Sequence, residues 1–188
     1  MKNKSFLSTR NAVITLILFV CMYLLINGSP FGLAKLNEIT DGHSILDMEM
    51  SGYTVDRAYE IFDALGEEGR AFNLKFIIPL DFVFPLSYGI FYFMTLTLIV
   101  MNIGFKIERP WVIGCIGLTA TIFDLLENIM IVYLLQNYPQ RLEGAVRIAS
   151  IFTQCKAFFN MISLLLIVVG LLIVLIKKAH QTIKIKGN

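Results

Sequence analysis

The stretch Thr119-Ala-Thr-Ile-Phe-Asp-Leu-Leu-Glu-Asn128 decides the fold. It lies inside an apolar run from about Pro110 to Leu135, long enough to cross a bilayer. Asp124, Glu127 and Asn128 are spaced i, i+3, i+4, so a helix puts all three on one face. A carboxylate at bilayer depth costs about 2.5–3.5 kcal/mol even on a lenient insertion scale. Both carboxylates must therefore face protein or water, and the other apolar runs are expected to supply that packing.

The composition agrees with this reading. Of 188 residues, 56% are apolar, against roughly 45–50% in an ordinary soluble domain. The excess sits in long blocks, which is the membrane pattern. A net charge of +2 gives no footprint for nucleic acid, and the basic residues cluster at the ends of the apolar runs. Cys21, Cys115 and Cys155 all fall inside those runs, so they are expected to pack as small hydrophobes and not as a disulfide framework.

The expected fold is all-α: an integral membrane four-helix bundle, in one transmembrane domain, with a short amphipathic helix in the first extracytoplasmic loop. The spans are placed at about 12–27, 76–103, 110–135 and 146–176, and the outer loop at about 28–75. The basic start and first apolar run also suit a signal peptide, but no Ala-x-Ala pattern precedes Gly28, which favours a retained span. The loop holds nine acidic and four basic side chains. Within it, Val55, Ala58, Tyr59, Phe62 and Leu65 recur at helical spacing, with Thr54 as N-cap and Gly66 as C-cap. The acidic polar face of this helix favours packing over the bundle rather than adhesion to anionic lipid.

Pro79 and Pro85 flank Asp81 at the start of the second span. Each removes a backbone donor, and the carbonyls so freed need partners. Pro85 is deep enough to predict a kink, whereas Pro79 suits the start of the span. Tyr88, Tyr92, Thr95 and Thr97 follow as polar candidates for a packed interface. Pro110 suits the first position of the third span, and Trp111 an interfacial anchor.

Charge asymmetry sets the expected orientation. The N-terminal segment (Lys2, Lys4, Arg10), the turn from Lys106 to Arg109 and the tail (Lys177, Lys178, Lys184, Lys186) are basic. By the positive-inside rule they face the cytoplasm, with the loops on the outer side of a cell membrane. Helix rise then places Asp124 and Glu127 roughly 20 and 24 Å from the cytoplasmic end of the third span. Asp81 lies just inside the outer end of the second. Lys156 lies roughly 12–16 Å down the fourth, with Asn160 and Ser163 on its face.

Charges from three spans are thus expected at one level, as a ligand-binding layer of Asp81, Asp124, Glu127, Asn128, Lys156 and Asn160. Lys156 is expected to pair with Glu127 or Asp124. Arg70 is expected at the rim as a lid over the carboxylates, and Arg147 is a second long side chain able to reach inward. Polar side chains also join helices, but each contributes only about 0.6 kcal/mol, a small return against the cost of burying charges.

Such a layer suits a small amphipathic or lipid-like ligand, with acid–base chemistry as an option. It also suits a proton- or cation-coupled transporter, and a third reading is an interaction protein acting through the acidic loop. Membrane lipids are the expected partners. No cofactor is expected: His43 and His180 are the only histidines, without zinc spacing, and no glycine-rich phosphate loop occurs. Asp41, His43, Asp47 and Glu49 offer ligands for a divalent ion, but a solvated acidic loop is the preferred reading. The layout loosely resembles that of sterol-isomerase-related four-helix membrane proteins; their motifs do not match residue by residue, and no residue role is carried over.

Overall fold

The computed structural model describes residues 6–104 and 107–186, with side chains described as far as Thr182. Lys2, Lys4, Lys106 and the side chains of Lys184 and Lys186, which support the expected orientation, lie outside the described residues. Among the described residues 83% are helical and no strand occurs. In order come α1 (Thr9–Asn27), α2 (Leu33–Ile39), a 3₁₀ turn (Leu46–Met48), α3 (Val55–Phe72), a π turn (Asn73–Ile77), α4 (Ile78–Ile103), α5 (Trp111–Asn137) and α6 (Glu143–Lys186). Among the described residues four helical segments are long and apolar enough to cross a membrane: α1, the continuous α3–α4 path, α5 and α6.

The largest departure from expectation lies between residues 28 and 77. The expected amphipathic helix and second span form one continuous helical path. Thr54 caps α3 as expected, its hydroxyl accepting the Arg57 amide at 3.2 Å. Gly66 does take a positive φ (63°, with ψ −178°) that only glycine adopts readily. The helix restarts at once, however, so Gly66 makes a kink and not an end. Before Pro79 the helix widens by one residue, with the Ile78 amide bonded to the Asn73 carbonyl. Pro79 has no amide to donate, so a widened turn just ahead of it costs little.

The rest of the outer loop is also folded, around the amphipathic helix expected to pack over the bundle. Leu36 of α2, Ile45 just before the 3₁₀ turn and Leu46 within it are buried with Ala58, Phe62 and Leu65 of α3. This layer packs on Ile131, Leu134 and Leu135 of α5 and Val146 and Ala149 of α6, forming one core at the loop end of the bundle. Tyr59 pins it there, its hydroxyl donating to the Gln140 carbonyl at 2.6 Å and accepting the Leu142 amide at 2.8 Å.

A second core joins Tyr88, Tyr92, Leu96 and Ile99 of α4 to Ala120 of α5 and Ile167 of α6. Helix α1 is peripheral and meets α4 through Phe19, whose ring lies 5.8 Å from Phe84 and 5.9 Å from Phe91. Helices α4 and α5 pack closely at Gly89, where an added Cβ would lie 2.0 Å from Thr121 Oγ1. Only glycine leaves room there.

Candidate functional site

The buried stripe of α5 runs through Gly117, Ala120, Thr121, Asp124, Glu127, Asn128 and Ile131. The i, i+3, i+4 spacing carries its three polar members into the space between α4 and α6. Lys156 of α6 meets them there. Its Nζ lies 2.6 Å from Glu127 Oε2 and 3.3 Å from Asp124 Oδ1. It also pairs with Asp47, which the 3₁₀ turn lowers into the same space. Glu127 is 0% exposed and Lys156 3%, so these charges are out of solvent and depend on one another.

The remaining polar atoms are largely satisfied from neighbouring helices. Thr153, three residues before Lys156, donates to Glu127 Oε1 at 2.6 Å. Tyr88 donates to Asp124 Oδ2 at 2.8 Å. Asn128 Nδ2 donates to the Asp81 backbone carbonyl at 2.8 Å, and Thr121 Oγ1 to the Pro85 carbonyl at 2.8 Å. The Asp81 carboxylate is buried beside Asp47 and Asp124, with one oxygen from each within 4.8 Å of the others. Among the described residues Asp81 has no ion-pair partner of its own.

Tyr53 stands over this group. Its backbone amide bonds Ser150 Oγ at 2.9 Å, and its hydroxyl lies 3.4 Å from the oxygen of Thr153, whose one proton goes to Glu127. Burial pushes the Tyr53 hydroxyl well above the usual tyrosine range.

Asp81, Asp124, Glu127, Asn128 and Lys156 are therefore brought together. Asn160, one turn beyond Lys156, lies beside the Tyr88 hydroxyl at the edge of the group. Ser163 is buried with its hydroxyl unpaired. Arg70 is not a lid over the carboxylates. Its guanidinium donates to the Phe62 carbonyl at 2.6 Å and lies 4.0 Å from the Tyr138 ring centroid, beyond the kink at Gly66. Arg147 pairs with Glu143 on the exterior.

Asp47 corrects the solvated reading of the acidic loop: its carboxylate enters the polar group, whereas Glu49 pairs outside with Arg57 at 2.7 Å. Nothing in local spacing marks Asp47. Thr153 and Tyr88 did carry a signal, since each shares a helix face with a charged residue, at three residues from Lys156 and seven from Asp81.

Asp47, Asp124 and Glu127 pair with one ammonium and Asp81 lies against the two aspartates, a formal excess of three negative charges. Next to them is a cavity of about 10 Å³, room for about one water, lined by Asp47, Asn73, Asp81 and Asn128 among apolar neighbours. The arrangement can hold protons or a small cation against a fixed lysine. No family model, characterised protein or solved structure matches the chain.

Proposed function

We propose that the chain is a multi-pass membrane protein whose working part is the buried carboxylate–lysine centre, and that this centre takes up and releases a proton or a small cation in coupled transport. The observation that carries this reading is the acid excess around Lys156 beside a cavity of one-water size. An uncompensated carboxylate in low dielectric is strongly unfavourable, so the excess calls for counter-charge. The space favours a partner no larger than a hydrated proton or a bare ion.

Membrane embedding is supported by the four long apolar segments and by the outward side chains of α1 and α6. Ile17, Leu24, Leu165, Leu172 and Ile176 are each more than half exposed, which a water-facing surface rarely sustains over such a length. Arg10, Arg109, Lys177 and Lys178 favour a cytoplasmic position for both termini in a cell membrane, with the loop end outward.

The test is flux in liposomes containing the full chain, read with an internal pH dye under an imposed proton or cation gradient. Asp124→Asn and Glu127→Gln are expected to abolish it; equal flux in variants and wild type would remove the reading.

One observation favours a second reading, an amphipathic or lipid-like ligand. A cavity of about 200 Å³ at the opposite end is lined by Thr9, Thr95, Asn102 and Lys178 with apolar walls from α4 and α6. The Thr95 hydroxyl is buried there without a partner. Native mass spectrometry of gently extracted protein tests it: a retained lipid is expected, lost on Leu98→Trp, and protein free of lipid would end it.

A further inference from the structure

The geometry points to a binding site for a hard, calcium-sized cation between Asp47, Asp81 and Asp124, completed by the side-chain oxygen of Asn73. The inference rests on the proposed cation-handling centre and assigns it a ligand set.

The donors are all oxygens, with no thiolate or imidazole among them, which selects hard cations over zinc or copper. One carboxylate oxygen from each aspartate lies within 4.8 Å of the others. Calcium–oxygen bonds of roughly 2.3–2.6 Å put opposite ligands roughly 4.6–5.2 Å apart, so three such oxygens fit one coordination sphere.

Independent of the acid cluster is Asn73. It is only 3% exposed, its Oδ1 has no hydrogen-bond partner, and it lines the same small cavity as Asp47 and Asp81. A buried amide oxygen without a donor is unfavourable unless something else meets it. Asn73 also opens the π turn, a helical irregularity that recurs at functional sites.

Lys156 does not pre-empt this position. It engages Glu127, Asp124 and Asp47, leaving Asp81 and Asn73 as the cation's own ligands and Asp47 and Asp124 as shared ones. Entry is from the Asp47 side, where the carboxylate side chain keeps 19% exposure against 5% for Asp124.

The full chain, purified in detergent and stripped with a chelator, is titrated with calcium chloride by calorimetry, and its melting temperature is read with and without calcium at constant ionic strength. Saturable binding near one ion per chain and a higher melting temperature are expected. Both should be lost in Asp81→Asn and in Asp47→Asn, and binding should be weakened in Asn73→Ala. Asp47 lies outside the long helices, so its variant reports even if Asp81→Asn does not fold.

Absence of saturable calcium binding to wild type, or unchanged binding in folded Asp47→Asn, would overturn the inference. Infrared spectra of the same stripped protein across pH separate the two readings. Carboxyl bands that titrate without calcium binding leave a proton-handling centre and remove the calcium site. Bands that do not titrate, together with absent flux, remove the centre's proposed function.

Discussion

Asn128 of α5 donates its side-chain amide to the backbone carbonyl of Asp81 on α4 at 2.8 Å, and Pro85 is why that carbonyl is available. Residue 85 would ordinarily donate its amide to residue 81 and, as proline, has none. Asn128→Leu should therefore leave a buried carbonyl orphaned and destabilise the fold by about 1–3 kcal/mol. With Pro85→Ala in the same chain the helix supplies its own donor, and the cost of Asn128→Leu should fall. Unfolding titrations of the four combinations give the coupling; additive effects would contradict it.

Lys156 is the only basic side chain paired with the buried acids among the described residues. Lys156→Met should cost about 3–5 kcal/mol, since it strands charges that have no other cation. Glu127→Gln added to it should restore part of the loss. The variant should also free Asp47, so limited proteolysis should cut between residues 40 and 54 faster than in wild type.

Gly89→Ala should destabilise by about 1–3 kcal/mol through overpacking, because the new methyl would lie 2.0 Å from Thr121 Oγ1. Thr121→Ala removes the obstructing atom, so the pair should be more stable than Gly89→Ala alone. Melting temperatures of the three variants check this.

Tyr53 predicts a pH dependence on the alkaline side. Its folded pKa is raised by burial above the ordinary tyrosine value. As pH climbs past about 10 the unfolded chain releases this proton and the folded chain does not. Tyr53's contribution is therefore whole below that pH and is lost as pH rises above it. The melting temperature of wild type should fall more steeply between about pH 9 and 11 than that of Tyr53→Phe; parallel curves would contradict this.

The parts of the centre carried by regular helices were legible as sequence. A fixed rise and repeat put Asp124, Glu127 and Asn128 on one stripe and gave Lys156 a matching depth, so their meeting follows from local geometry. The need of the Asp81 region for a partner was legible from Pro85, although not that Asn128 would be the one. Asp47 was not legible, because its position depends on α2 and the 3₁₀ turn burying Leu36, Ile45 and Leu46, a tertiary fact with no periodic trace. Arg70 was misplaced for a related reason: the kink at Gly66 redirects the chain, and rise along a straight helix cannot anticipate it.

The reach of Asp47 to Lys156 ties the segment between α1 and α3 to charges deep among the long helices. An antibody, crosslinker or protease that grips the stretch between α1 and α3 would alter the field felt by Lys156 without entering the space between the helices. A reagent too polar to penetrate the helices thereby gains a lever on what lies between them.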